Sequence, residues 1–143
     1  MKKDNKGFSL VELIVVVLIM GILAVALTPQ VLKWVNNSRL ATDFGTMDTV
    51  ASALQTSFTN ENAYKDKANI TITITDDGLT SQAEASVNTK LAEYLGTGTI
   101  TKGTLNTEIK LKSDATAYIT TDGNGKVSTV LVYNGTSMHS IND

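Results

Sequence analysis

A chain of 143 residues is long enough for one domain with a modest hydrophobic core. Its formal net charge of −2 argues against a nucleic-acid-binding surface, and the lack of cysteine excludes disulfides and thiolate metal sites. The only histidine is His139, so histidine-rich metal sites are excluded as well, and we expect neither a metal nor a cofactor.

The first predicted element is an apolar helix that contains one carboxylate. From Leu10 to Leu27 the only residues that are not apolar are Glu12 and Gly21. Such a segment makes about 27 Å of helix, close to the ~30 Å hydrocarbon core of a bilayer. An acidic residue costs roughly 2.5 to 3.5 kcal/mol at the centre of a spanning helix and less near its start, so Glu12 indicates a functional use.

The residues that flank this segment predict its orientation. Lys2, Lys3 and Lys6 precede it, and the positive-inside rule places them in the cytoplasm, so the chain beyond Pro29 lies outside. Lys33 and Trp34 follow the segment and suit an interfacial anchor.

Two other interpretations of the segment are open. With its basic start and Ala24-Val25-Ala26, it resembles a secretory signal peptide, and a cut after Ala26 would release a soluble secreted domain. A plain single-span anchor is the other. Two features disfavour the signal peptide: the apolar run exceeds the usual 7–15 residues, and a buried glutamate does nothing for a discarded segment.

One motif explains more of these residues together. The stretch Lys6-Gly7-Phe8-Ser9-Leu10-Val11-Glu12-Leu13-Ile14 resembles the processing site of type IV pilins. The resemblance covers about residues 6–40 and is weak beyond them. It implies that a membrane prepilin peptidase removes a leader of residues 1–7 by cutting after Gly7, and that the same enzyme N-methylates Phe8. The apolar helix then stays on the mature protein.

The resemblance also implies how the mature protein is used. The subunit would be stored in the cytoplasmic membrane, and pilus assembly machinery would then polymerise it with copies of itself into an extracellular filament. The new ammonium group of Phe8 and the carboxylate of Glu12 attract each other strongly in a low-dielectric setting. The family implies that this pair joins neighbouring subunits, so Glu12 would select the register of the filament.

Two residues weaken the helix. Gly21 and Pro29 fall where the family places a glycine and a proline. Pro29 has no N–H and leaves the carbonyl of Val25 unpaired, and Gly21 has a low helix propensity. Both residues fit an ordinary membrane-helix kink or a point at which the helix is designed to melt.

The helix is predicted to continue as an amphipathic half. One stripe has apolar residues at spacings of three and four, and the other face carries polar residues that include Arg39, Asp43, Asp48 and Gln55. The stripe consists of Leu40, Phe44, Met47, Ala51, Leu54 and Phe58. Such a stripe packs on the protein's own core. A helix from Phe8 to Phe58 would be about 76 Å long, and Asn60-Glu61-Asn62 is expected to end it.

The remaining residues predict an antiparallel sheet of three to five strands and one short helix. Residues 69–75 alternate, with Ile70, Ile72 and Ile74 inward, and Asp76-Asp77-Gly78 is a turn. Ser81 and Glu84 suggest a capping box before a helical stripe of Ala83, Val87, Leu91 and Leu95, which Gly96 ends. A loop with Gly98 and Gly103 precedes a second strand, residues 105–112.

The last predicted strands form a hairpin. Residues 118–121 and 126–133 flank the turn Asp122-Gly123-Asn124-Gly125. Val130, Leu131 and Val132 do not alternate with polar residues, which suggests a strand that is buried on both faces. The turn lacks the spaced ligands of a calcium loop, and three glycosylation tripeptides, at Asn36, Asn69 and Asn134, are expected by chance in a Thr- and Asn-rich chain.

The sequence therefore predicts an α+β protein, not an enzyme. It has a leader (1–7), a transmembrane and filament-core helix half (8–28), an amphipathic helix half (29–60) and a β-rich head (61–143) packed on the helix. We expect a type IV pilin that acts in adhesion, motility or surface interaction. The rival is a pseudopilin of a secretion or competence system: the end of the helix resembles that group, but Lys65 stands where a proline usually follows Tyr64, and the pattern of the calcium site is missing.

Overall fold

A computed structural model describes residues 7–140 of the chain. The predicted leader and its lysines Lys2, Lys3 and Lys6 lie outside the described residues, except for Gly7. The chain divides into two compact units, Met1–Asn37 and Ser38–Asp143.

A single helix, α1, runs through Leu10–Ser57. Its apolar first part lies in the first unit, and its second part lies in the second unit. The helix ends at Ser57, and the backbone N–H groups of Phe58, Thr59 and Asn60 donate to carbonyls three residues back, which tightens the last turn. The predicted long helix is confirmed.

A short helix follows this end. The side chain of Asn60 accepts hydrogen bonds from the N–H groups of Asn62 and Ala63, and this cap starts α2 at Glu61–Lys65. The segment that was expected only to end α1 therefore also begins another helix.

The second unit contains a six-stranded sheet and one further helix. Every pairing between strands is antiparallel, and the spatial order is β3-β2-β1-β4-β5-β6. The remaining helix, α3, spans Ala85–Leu95. The strands are β1 Thr71–Ile74, β2 Leu79–Ser81, β3 Leu105–Asn106, β4 Thr116–Thr121, β5 Val127–Tyr133 and β6 Thr136–Ser140.

The predicted core stripe of α1 packs on this sheet. Leu40, Met47, Ala51 and Leu54 are buried, and Phe44 and Phe58 pack half-buried against the same cluster. The inward residues of the strands complete the core, with Ile70, Ile72 and Ile74 buried as predicted. The α+β fold, a long helix packed on an antiparallel sheet, is confirmed.

Asp43 corrects the prediction for the polar face of α1. Its side chain is fully buried, and its carboxylate accepts hydrogen bonds from the backbone N–H groups of Lys112 and Ser113 and from the hydroxyl of Ser113. A buried carboxylate needs such donors to offset its lost hydration. The helix face toward the core is therefore wider than the apolar stripe.

The capping box predicted from Ser81 and Glu84, at the start of α3, is wrong. Ser81 lies in β2, and its hydroxyl accepts from the N–H of Ala83 and donates to Oδ1 of Asn88 at 2.6 Å. Glu84 is the N-cap residue of α3 but makes no side-chain capping bond. The other end agrees with the prediction: Gly96 closes α3 in the left-handed conformation.

The sheet has six strands, more than the three to five predicted. The predicted second strand shrinks to Leu105–Asn106, and neither β2 nor the edge strand β6 was predicted. Along β5, buried and half-buried residues alternate, so the prediction that Val130–Val132 is buried on both faces is wrong. The hairpin of β4 and β5 is confirmed.

Candidate functional site

Residues 7–9, which precede α1, are exposed and belong to no helix or strand. Phe8 is 93% exposed, and a Cβ placed on Gly7 would meet no atom within 4 Å. Nothing in the described fold therefore requires a glycine at this position. A requirement for one would have to come from another molecule that contacts the chain here.

Ser9 and Glu12 form a reciprocal capping box. The backbone N–H of Ser9 donates to Oε2 of Glu12 at 2.9 Å, and the N–H of Glu12 donates to the hydroxyl of Ser9 at 3.2 Å. The helix then continues with the N–H of Leu13 bonded to the carbonyl of Ser9 at 3.2 Å. Two N–H groups that the helix leaves without partners are thereby satisfied.

The cap gives Glu12 a local role that sequence reasoning missed. Ser-x-x-Glu before an apolar run is the standard signal for a capping box, and it was present at Ser9 to Glu12. The positive end of the helix dipole also favours a carboxylate in the first turn. Within the described residues, the second carboxylate oxygen of Glu12 accepts no hydrogen bond, so it is open to a further donor.

The apolar segment of α1 shows its side chains to the surroundings. Every large apolar side chain from Leu10 to Val35 is exposed, from 40% at Val35 to 77% at Val25. The most apolar 18-residue window has a mean hydropathy of 3.1, and none of it is buried inside the protein. An apolar surface of this extent needs a bilayer or partner helices to cover it. The helix is a candidate membrane span.

Gly21 and Pro29 both lie inside α1, which is helical through both. A Cβ on Gly21 would meet nothing within 4 Å, so its small size is not needed within the chain. Beside Pro29, the hydroxyl of Thr28 donates to the carbonyl of Ala24 at 2.7 Å. The carbonyl of Val25, four residues before Pro29, has no helical N–H to accept from.

The second unit offers little chemistry of its own. Among residues 7–140, no group of three or more His, Cys, Asp or Glu side chains is placed to hold a metal ion. A groove of about 680 Å³ lies between α1 and residues 108–112. Its one carboxylate, Glu108, already accepts a hydrogen bond from the N–H of Gly98 at 2.7 Å. No catalytic arrangement is present among these lining residues.

Comparison with known families gives one match. The family model for the prokaryotic N-terminal methylation motif matches residues 2–28, which include Gly7, Phe8 and Glu12. No curated protein and no solved structure matches the chain. The chain thus carries the cleavage and methylation site of type IV prepilins.

This motif, which covers residues 2–28, indicates a class of protein. It supports a type IV pilin-like or pseudopilin protein, a class that is structural and not enzymatic. It also implies processing by prepilin peptidase, and together with the apolar helix it fits membrane anchoring followed by pilus assembly.

Proposed function

We propose that this chain is a structural subunit of an extracellular type IV pilus. The observation that carries the proposal is the methylation motif at residues 2–28, which extends into an apolar helix with exposed side chains. Cleavage after Gly7 exposes Phe8 as a new amino terminus, which the same peptidase methylates. Gly7 is unconstrained by the fold, which supports a requirement that comes from the peptidase.

Before assembly, the subunit is held in the cytoplasmic membrane. The helix half 8–28 spans the bilayer once, with Lys2, Lys3 and Lys6 on the cytoplasmic side and the β-rich head, residues 61–143, outside. The membrane covers the apolar side chains until the pilus assembly machinery draws the subunit into the filament. The partners at each stage are then the bilayer, prepilin peptidase, the assembly machinery and finally other copies of the chain.

In the filament, the apolar helix halves pack on one another. The ammonium group of Phe8 on one subunit pairs with Glu12 on its neighbour, whose second carboxylate oxygen is open. The attraction is strong because apolar helices lower the local dielectric constant. Gly21 and Pro29 mark the stretch where the helix can lose hydrogen bonds as the subunit leaves the membrane. The amphipathic half, residues 29–60, carries the head, and the exposed heads serve adhesion, motility or surface interaction.

The mature amino terminus tests this proposal. Mass measurement and terminal sequencing of the protein purified from cells should give a chain that begins at Phe8 and carries one methyl group. The variant Gly7→Leu should keep its leader and yield no filaments. The control Gly123→Leu introduces the same bulk at a position where a Cβ also meets nothing within 4 Å, and it should be processed normally.

Other results would contradict the proposal. A mature chain that begins at Leu27 would identify a secreted soluble domain cut after Ala26. A chain that begins at methylated Phe8 but forms no filament at the cell surface would favour a pseudopilin.

A further inference from the structure

One face of the sheet is more exposed than the other. In β1, β4 and β5 the residues alternate between buried and more exposed positions, and the buried set packs on α1 and α3. The opposite set forms what we call the outer face. Its central residues are Thr71, Thr73, Thr80, Tyr118, Thr120 and Val130, which the strand register places side by side.

The outer face has no formal charge. The six described strands contain no Asp, Glu, Lys or Arg, although these residues make up 18% of the chain. Natural sheets commonly place such charges on edge strands to prevent unwanted association, and neither edge strand here, β3 or β6, carries one. A face without charges costs less to desolvate than a charged face, and it offers no ion pair to a charged ligand.

The threonine hydroxyls of the outer face have no partners within the described residues. No side-chain hydrogen bond involves Thr71, Thr73, Thr80 or Thr120. Threonines on the helices behave differently: Thr46 and Thr49, for example, donate to the carbonyls four residues before them, at 3.2 and 2.7 Å. The outer face therefore presents hydroxyls that can both donate and accept.

These hydroxyls form a regular array around one aromatic ring. Thr80, Thr73 and Tyr118 lie in one row across the strands, and Thr71 and Thr120 lie in the next row. Neighbouring strands are about 4.8 Å apart, and the rows are about 6.7 Å apart along each strand. Tyr118, on a central strand, is 40% exposed and presents an apolar ring with a polar hydroxyl.

We propose that the outer face binds a neutral polysaccharide. Such a polymer presents uncharged hydroxyls at regular intervals and apolar C–H faces of its rings, which match the threonine array and the ring of Tyr118. Neither the outer face nor such a polymer carries charge. This match favours a neutral polysaccharide over nucleic acids, acidic peptides and anionic lipids, all of which are charged. This surface goes beyond the proposed role in a pilus and does not depend on polymerisation.

A second copy of the chain fits the outer face less well. The cores of protein interfaces are rich in aromatic residues, methionine and arginine. Here the central residues are mostly threonine, and there is no charge to fix the register of two copies. Self-association is therefore an alternative outcome of the test.

The test measures binding of the full chain to insoluble cellulose and chitin. The protein is solubilised in a detergent without a sugar headgroup, because a glycoside would compete for the same surface. We expect saturable binding that does not weaken with added salt, since no ion pair is involved. The variant Tyr118→Ala should bind about threefold to tenfold more weakly. The double variant Thr73→Val, Thr120→Val keeps the β-branched shape, removes two hydroxyls and should also lose about fivefold or more.

Matched variants control for general damage to the protein. Tyr94→Ala removes a tyrosine of similar exposure, 47%, from α3, and Thr49→Val removes a hydroxyl that is already bonded to the helix backbone. Both should bind as the wild type does. Thermal unfolding of each variant shows that the second unit is intact, and Thr73→Lys, which adds a charge to the outer face, should abolish binding.

Three results would overturn the proposal. One is a wild-type chain that binds neither cellulose nor chitin. Another is wild-type binding by both Tyr118→Ala and the double valine variant. The third is a change in the sedimentation of these variants with no change in polysaccharide binding, which would assign the outer face to a second copy of the chain.

Discussion

Two carboxylates in helix α1, Asp43 and Glu12, show how local context decides what a charged residue does. Asp43 is fully buried and holds the segment of Lys112 and Ser113 against the helix, 69 and 70 residues along the chain. Glu12 is exposed and caps its own helix. The buried role of Asp43 could not be predicted from sequence because its donors are mainly backbone N–H groups, which almost every residue carries. The capping role of Glu12 was predictable because a capping box has a fixed spacing.

The first residue-scale prediction concerns the stability of the second unit. Asp43→Ala leaves two backbone N–H groups and the hydroxyl of Ser113 without an acceptor in a buried place. We expect a loss of about 2–5 kcal/mol in the free energy of unfolding. Thermal unfolding of the full chain in detergent, followed by circular dichroism, measures it. Asp114→Ala removes an exposed carboxylate from the same loop and should change stability by less than about 0.5 kcal/mol. Equal stability of the two variants would contradict the role given to Asp43.

At the scale of elements, the strand pattern was reliable where hydrogen bonds stay within the sheet. Residues 105–112 alternate well enough to predict a strand, yet only Leu105 and Asn106 pair with β2. Further along, the N–H of Leu111 donates to the carbonyl of Thr75, and Asp43 takes the next two N–H groups. The backbone N–H groups of this segment therefore donate to Thr75 and Asp43 and not to a neighbouring strand. Alternation of apolar and polar residues does not reveal such competing acceptors.

The edge strand β6 had a signal that was interpreted differently. Asn134 and Gly135 connect β5 to β6, with φ of 51° and 76°. Asn-Gly is the preferred pair for a two-residue hairpin turn because both residues tolerate positive φ. Asn134 also begins a glycosylation tripeptide, Asn134-Gly135-Thr136, so the same residues carry two competing signals, of which the structure shows the turn.

The hairpin of β4 and β5 leads to a prediction about pH. Backbone N–H groups of Lys126 and Asn124 donate to the carboxylate of Asp122, each at 2.8 Å, and lower its pKa below the ordinary value of 3.8. A lowered pKa in the folded state means that stability is gained above the unfolded pKa and is lost as the pH falls through the folded one. We therefore expect the unfolding temperature of the wild type to exceed that of Asp122→Asn near neutral pH.

The difference should shrink as the pH falls from about 5 to below 3.8, because Asp122 becomes protonated. Unfolding temperatures of both proteins across this range check the expectation. Asp77→Asn is the control, since its exposed turn carboxylate accepts no hydrogen bond within the described residues. A constant difference between wild type and Asp122→Asn at every pH would show that the turn does not depend on the charge.

At the scale of the whole molecule, the sequence predicted the α+β class, the long helix and its buried stripe, because these depend on periodicity along the chain. The motif at residues 2–28 was recognisable for a different reason: it implies processing by prepilin peptidase, a requirement that is separate from the fold. The outer face of the sheet became visible only with the strand register, since its residues come from separate strands.

The last prediction separates the two roles of Glu12, helix cap and assembly charge. Glu12→Gln keeps a carbonyl oxygen that can accept from the N–H of Ser9, as glutamine does in capping boxes, but it removes the charge. Ser9→Ala does the reverse: it weakens the cap by about 0.5–2 kcal/mol and leaves the carboxylate in place.

If the charge of Glu12 pairs with the ammonium group of Phe8 on a neighbouring subunit, losing it costs roughly 3–5 kcal/mol per subunit, and even the lower figure is over a hundredfold in the polymerisation equilibrium. We therefore expect Glu12→Gln to be cleaved and inserted normally but to give few or no sheared filaments, while Ser9→Ala still assembles, both judged by immunoblot against the membrane fraction. Wild-type filament yield from Glu12→Gln would show that packing of the apolar helices alone sets the register.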